Sequence, residues 1–516
     1  DKYSGIGFVT ADKVAINSGV EMKSEQRVTA GIIHLCAQNE SSGNTCIKRS
    51  ELKLKAIKLL SKSEILIDDE DVEKGIASCV ASKRIEELHN SEVIQTRLMF
   101  RREKSIAEHI VQLTDYYSTV NALVEKAGGV KKVASEAKEA SGVALNDAQY
   151  DAVVNALEQK VSIVTGGPGV GKTSSLTAIV LALQSIGAAI ELAAPTGKAA
   201  KRMEESVKAK TGLKSQTIHR LLGAGNDGFE FREDNKLEAD VVIIDEASML
   251  DTYMASKLLE ALPEASSIVL VGDKDQIPSV GAGDILKDLL SQNTLIKRST
   301  LTALYRRDDK SMISVNSHRI NQGKPCDLSK ESDFLFDKIE TPAEFKTIGE
   351  RIRKELVDLV RDDLMKRYKF NEDVQILTPM HNGELGTIEL NKAIQKTLID
   401  DDAPYILSGG NRFHVGDKVI QLSNNYDLKI FNGDVGVVTD IDEDTRSLTV
   451  EIDGYTYPIE SKFMRDLSLA YAISIHKSQG SEYPCVIIPV SRQHKIMCER
   501  ALLYTAVTRG KSEVRI

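Results

Sequence analysis

The chain has 516 residues, a net charge of -9, 41% hydrophobic and 28% charged residues, the composition of an ordinary globular protein with room for roughly two to five domains of about 100 to 200 residues. No apolar run approaches the roughly 18 residues that cross a bilayer, and Cys36, Cys46, Cys79, Cys326, Cys485 and Cys498 lack the spacing of a zinc site or disulfide framework, so buried thiols and a cytoplasmic setting are expected. The acidic balance does not advertise nucleic-acid binding, although a local groove of backbone N–H groups, hydroxyls and a few cations is enough to hold phosphates.

Up to about residue 105, KSEQRVTAGIIHLCAQNE and KRSELKLKAIKLL carry apolar residues at helical spacing around the turn-prone SSGNT. This predicts a helical auxiliary module over 1–105. The chain opens on Asp1 and ends at Ile516 in what reads as mid-strand, with no signal peptide visible, so a fragment is expected. From about Asn146, strands and amphipathic helices alternate through VSIVTG, AIELAAPT, ADVVIIDEA and SSIVLVGD, the pattern of a parallel sheet covered on both faces. The alternation resumes at VQILTPM, AYAISIH and CVIIPV. Between them FHVGDKVIQLSNNY and FNGDVGVVTDIDED read as short strands of a small inserted β-barrel. The expected fold class is α/β: parallel-sheet domains at 106–300 and at 301–399 with 467–516, a barrel at 400–466, and the helical module.

Gly166 to Thr173 fits GxxxxGK[ST] between a β-branched strand and a helix. Gly167, Gly169, Val170 and Gly171 curl the backbone so that N–H groups face phosphates, with Lys172 on the β and γ oxygens and Thr173, followed by Ser174, placed for Mg²⁺. Asp245 and Glu246 end the apolar strand VVIIDEAS, where a sheet's carboxyl edge binds ligands. Asp245 is expected to hold the metal and Glu246 to orient and deprotonate water. Gln276, Arg306 and Arg509 are candidates to sense the γ-phosphate of ATP.

The order of these motifs resembles superfamily 1 helicases, and the wording LNDAQYDAV, APTGKAAKRM, TIHRLLG, DEASMLD, GDKDQIPSVGAGDIL, LTPMHNGELGTIELN, AYAISIHKSQGSEYP and YTAVTRGK is similar to the RecD family from about Asn146 to the end. The resemblance implies two RecA-like motor domains, an SH3-like barrel, Gln149 on the adenine and Glu482 near the ribose. Where the family often has Gln after the arginine of LYRRDD, this chain has Arg307. By the same resemblance Pro195, Thr196, His219, Thr378, Pro379, His381, Ser478 and Gln479 line a single-strand track.

The segment GAGNDGFEFREDNKLEAD reads as a hairpin at about 223–240. Phe229 or Phe231 there either stacks on a duplex junction or packs on its own domain. Tyr426 either grips the strand or fills the barrel core. YSGIGFVTADKVA resembles the second half of a helix-hairpin-helix, with Gly5-Ile6-Gly7 as its turn. The activity implied is an ATP-dependent DNA helicase moving 5′ to 3′ on single strands toward duplex junctions, in DNA replication or repair. An RNA helicase, a translocase subunit of a nuclease complex and a DNA-binding ATPase switch stay open, and partner proteins are unknown.

Overall fold

Continuous β-branched runs form the central strands, and their alternate residues feed two different cores. In the computed structural model, which describes residues 7–62, 66–115, 117–225, 227–291, 296–302, 311–328, 332–340, 346–400, 402–425, 427–495 and 497–516, Ile163, Val242, Ile244 and Leu270 face one core. Val164, Val241, Ile243 and Val269 face the other. Both faces being covered is why these strands carry no polar alternation.

The first sheet is six-stranded and parallel, in the order Lys297–Leu301, Val161–Gly166, Ser267–Gly272, Val241–Ile244, Ile190–Ala194 and Gln216–Thr217. Register pairs Thr165 with Gly272 and with Thr300, and Ile244 with Leu270 and with Ala193. The carboxyl ends therefore align, and the residues that follow leave from one edge. A second parallel sheet has the order Phe334–Leu335, Gly510–Arg515, Tyr483–Ile487, Val374–Thr378 and Ala472–Ser474. The α/β class with two parallel sheets stands as expected.

Three expectations need correction. The amino-terminal module is not purely helical: Ile47–Lys48, Val93–Thr96 and Ile85–Leu88 form an antiparallel sheet. Its hairpin turns through His89, Asn90 and Ser91, all at positive φ, a conformation that no helical periodicity announces. The helix Arg97–Asp115 crosses residue 105 unbroken and buries Ile106, Ile110 and Leu113 in the first sheet's core. The inserted unit is an open five-stranded antiparallel sheet in the order Tyr455–Ile459, Ser447–Ile452, Val435–Asp442, Lys418–Gln421, Leu467–Leu469. Its two edge strands do not pair among the described residues, so no closed barrel forms. The hairpin near 223–240 is short, with strands Ala224–Gly225 and Gly228–Phe229. Glu230 N–H to Gly223 O and Phe231 N–H to Leu222 O carry its pairing a little further.

Of the six thiols, Cys36, Cys79 and Cys485 are buried while Cys46 and Cys498 are exposed. Among the described residues no helix is long and apolar enough to cross a membrane.

The amino-terminal helices Phe8–Asn17 and Glu25–Ser41 are joined by an ion pair out of reach of water, with Arg27 Nε donating to Asp12 Oδ1 at 2.6 Å and side chains 2% and 4% exposed. Replacing Asp12 by Ala leaves that buried guanidinium without its counter-charge, held among the described residues only by the carbonyls of Met22 and Leu60, and is expected to destabilise the module by about 3 kcal/mol. The readout is loss of hydrogen-exchange protection in these two helices, and undiminished protection would show that water already reaches Arg27.

Candidate functional site

Glycine conformation shapes the phosphate loop. Gly169 and Gly171 have φ of 73° and 86°, left-handed backbone that a side chain disfavours. A Cβ on Gly166 would lie 2.7 Å from Leu301 O. The loop folds over the buried Val170 and points the N-terminus of the helix Lys172–Ser185 at a cleft of about 1350 Å³ lined by Gly167, Gly169, Gly171, Lys172 and Thr173. First-turn N–H groups, which have no partner within a helix, and the helix dipole favour an anion at such an end. Lys172 Nζ donates to the carbonyls of Gly166 at 2.5 Å and Gly167 at 3.0 Å, which holds the ammonium over the loop. Ser174 is half-buried beside the exposed Thr173.

Asp245 and Glu246 leave the end of Val241–Ile244 into the same cleft. Glu246 has φ of 51°, uncommon for a residue with a side chain and typical of functional sites. Its N–H donates to Asp245 Oδ1 at 2.8 Å and fixes that carboxylate. Loss of hydration, then the charge of Glu246, holds the Asp245 carboxyl above its ordinary range against the opposing pull of that N–H, Lys172 and Arg202. A hydroxyl and a carboxylate at the phosphate end suit a hard cation with oxygen ligands. Such a cation would also relieve the crowding of two acids.

Gln276 and Arg509 face this cleft from opposite sheets. Gln276 is buried, its Nε2 lies 3.5 Å from Asp273 Oδ2, and its Oε1 has no hydrogen-bond partner among the described residues. Arg509 is 3% exposed and donates to Ser481 O at 3.2 Å and Thr505 O at 3.1 Å. Arg509 and Glu482 immediately precede the strands Gly510–Arg515 and Tyr483–Ile487. The second sheet therefore offers its amino edge to the first sheet's carboxyl edge. Arg306, Arg307, Tyr426 and the turn residues Gly5 and Ile6 lie outside the described residues.

The two sheets are bolted together beside the cleft. Tyr504 O–H donates to Asp273 Oδ2 at 2.7 Å, Ile277 N–H to Thr505 Oγ1 at 2.9 Å and Gln479 Nε2 to Ile277 O at 2.9 Å. Gln149 is buried as well: Asn146 N–H donates to its Oε1 at 3.0 Å, and its Nε2 donates to Gly171 O at 3.3 Å. It thus caps its own helix and touches the phosphate loop.

The track candidates fall into two groups. Pro195 and Thr196 follow the strand Ile190–Ala194, with Thr196 accepting from Ala199 N–H at 3.2 Å as the N-cap of the helix Gly197–Thr211. His381 is exposed, with Nδ1 3.1 Å from Thr387 Oγ1. Thr378 and Ser478, by contrast, are sealed and donate to Leu385 O and Ile475 O, both at 2.7 Å, and Pro379 is buried next to Thr378. Burial lowers the His219 pKa, and its ring lies 5.9 Å from Phe229. Phe229 also lies 6.2 Å from Tyr253, and both Phe229 and Phe231 pack on the first sheet's core.

Sequence reasoning passed over the cations of the helix Gly197–Thr211. Lys198 Nζ lies 4.6 Å from the Tyr483 ring centroid, Lys201 pairs with Asp453 at 2.6 Å, and Arg202 pairs with Glu482 at 3.0 Å. Their i, i+3, i+4 spacing within GKAAKRM was the available signal. Lys418, from the inserted sheet, was also missed. It is buried in the cleft wall and donates to Val374 O at 2.9 Å. Burial, with Lys198 nearby, pushes its ammonium from the ordinary 10.5 down to about 7.

The Lys418 pKa is lower in the folded chain than in the unfolded one, so the folded chain holds fewer protons between these values and gains stability as pH rises from about 7 toward 10. Lys418→Met is expected to flatten that rise in urea denaturation at a series of pH values. An unchanged slope would place the ammonium in water.

Family profiles match in sequence order: an ATP-dependent RecD2 DNA helicase HHH domain over 1–46, an AAA domain over 149–282, an ATP-dependent RecD-like DNA helicase SH3 domain over 390–452 and a UvrD-like helicase C-terminal domain over 469–516. The ATP-dependent RecD2 DNA helicase of Deinococcus radiodurans is 30% identical over 526 aligned residues, covering 99% of this chain and 68% of the relative. The RecBCD enzyme subunit RecD of Mycobacterium tuberculosis is 31% identical over 408, covering 72% and 68%. Among solved structures, a Bacteroides Pif1 helicase in complex with ADP-AlF3 and ssDNA aligns with 72% of this chain and 92% of its own at 20% identity, with a TM-score of 0.45. The near-complete span of the first relative and the four profiles identify the chain as a member of the RecD2 family of superfamily 1 ATP-dependent DNA helicases.

Proposed function

We propose that this protein moves 5′ to 3′ along single-stranded DNA and separates the duplex it meets, driven by ATP hydrolysis between its two parallel sheets. The observation that carries the reading is that Lys172, Asp245, Glu246 and Gln276 from one sheet and Glu482 and Arg509 from the other line one cleft. Lys172 and the loop N–H groups hold the β- and γ-phosphates. Thr173 and Asp245 are the residues that would hold Mg²⁺, whose chemistry is to neutralise phosphate oxygens. Glu246 orients and deprotonates the attacking water. Gln276 and Arg509 read the γ-phosphate, with Arg306 as the further candidate, and Glu482 meets the ribose, while Gln149 braces the phosphate loop through Gly171 O and reaches the adenine only by leaving its helix cap.

Cleavage detaches the γ-phosphate that both lobes grip, and its departure takes that charge out of the cleft, so chemistry becomes relative movement. Pro195, Thr196, His219 and His381 present the strand track, with Thr378, Pro379, Ser478 and Gln479 setting its backbone from beneath. Hydroxyls and imidazole grip phosphates and release them, where tight ion pairs would stall stepping. The 5′-to-3′ sense rests on family membership, and replication or repair of DNA is the setting that membership suggests.

Lys172→Ala is expected to lower ATP turnover by on the order of 100-fold or more. Undiminished turnover would refute the assigned site. Strand separation is expected from duplexes with a 5′ single-stranded DNA tail and not from those with a 3′ tail. Unwinding from the 3′ tail alone would reverse the polarity, activity on RNA tails alone would make this an RNA helicase, and turnover without separation would make it a switch.

A further inference from the structure

The helix Gly197–Thr211 begins at the strand track and ends its first turns at the nucleotide cleft. Thr196, its N-cap, is a track residue in the reading above, and Arg202 reaches across to the segment that leads into the opposite sheet's strand Tyr483–Ile487. One arm of the Arg202 guanidinium, Nη1, donates to Gly480 O at 3.3 Å, and the other, Nη2, pairs with Glu482 Oε1 at 3.0 Å. The second oxygen of Glu482 faces Lys511 at 3.5 Å. Glu482 is thereby held between a cation of each lobe. Close packing ties the same segment to the same helix, since a Cβ on Gly480, at φ +70°, would lie 3.0 Å from Ala199 Cβ and 3.2 Å from Thr196 Oγ1.

We infer that Arg202 is a positioning residue that couples the ribose end of the nucleotide site to the DNA track, an inference that rests on the motor reading above. Its planar fork fixes the angle between its two bonds, which a rotating ammonium on a flexible stem does not. Glu482 is therefore presented to the nucleotide only in the register that the helix dictates, and the helix is capped by a residue that touches the strand. A shift of the helix N-terminus when DNA binds moves Glu482, and a nucleotide that engages Glu482 pulls on the helix. The Arg202 and Glu482 side chains are 37% and 21% exposed. At that exposure the pair adds little to folding stability, so its role is geometric and its removal leaves a folded protein to measure.

Coupling of this kind is reciprocal, and two linked sites commonly change each other's affinity by about 5- to 150-fold. The experiment measures the affinity of a fluorescent oligo-dT with and without the non-hydrolysable analogue AMP-PNP, in the native protein and in Arg202→Gln, Arg202→Lys and Glu482→Gln. The native protein is expected to show a change of several-fold or more on adding AMP-PNP. In Arg202→Gln that ratio should fall to within about twofold of one, and Arg202→Lys should lie between. The double variant Arg202→Gln/Glu482→Gln should lose no more than Glu482→Gln alone, because the two side chains act through one contact. A native-sized ratio in Arg202→Gln overturns the inference while leaving the motor reading in place. A native protein without any such ratio overturns both.

Discussion

A single phenol sealed between the two sheets sets the geometry on which the rest depends. Tyr504 and Asp273 are 2% and 1% exposed, and the bond between them crosses the junction of the lobes at 2.7 Å. Burial and the neighbouring Asp273 charge raise the Tyr504 pKa, so the hydroxyl stays protonated and keeps donating. A carboxylate buried without that donor would carry a large desolvation penalty. The same hydroxyl stands 3.0 Å from where a Cβ on Gly167 would lie, so the phosphate loop rests on the second lobe. Gln276, three residues after Asp273, and Arg509, five residues after Tyr504, are positioned across the cleft by this contact.

The cleft is asymmetric in a way that follows from strand direction. The first sheet contributes residues that leave the carboxyl ends of its strands, as ligand sites in open parallel sheets do. The second contributes residues that lead into its strands, Arg509 and Glu482. The edge that would ordinarily bind a ligand in the second sheet is thus left for Pro379 and the segment around Ser478. One sheet meets the cleft with its carboxyl edge, the other with its amino edge.

Charge is distributed locally against an acidic total. With a net charge of -9, the protein still concentrates cations on one helix, where Lys198, Lys201 and Arg202 point to three different places. Lys201 meets Asp453 of the inserted sheet at 2.6 Å, and Arg220 lies 5.7 Å from the Phe431 ring of the same unit. The inserted sheet therefore leans on the first lobe as well as growing out of the second. Lys418 extends this from the other side by reaching Val374 of the second sheet.

Much of the architecture was legible in the linear chain because its signals are local. Buried parallel strands need continuous apolar runs, a phosphate loop needs glycines at fixed offsets, and VVIIDEAS places two acids at a strand end whatever the remainder does. The amino-terminal sheet was not legible, because Ile85–Leu88 and Val93–Thr96 are short and their turn depends on His89, Asn90 and Ser91 adopting left-handed backbone. Phe229 and Phe231 could be assigned to a junction or to a core with equal ease, and the structure packs both onto the first sheet's core. Written in the linear chain are the residue types and spacing of the phosphate loop and its acids and the alternation that makes two parallel sheets. Folding alone brings Arg202 to Glu482 and Tyr504 to Asp273 and turns Thr378 and Ser478 inward. These pairings join residues more than 200 positions apart or depend on which face is covered, and neither is encoded in any local period.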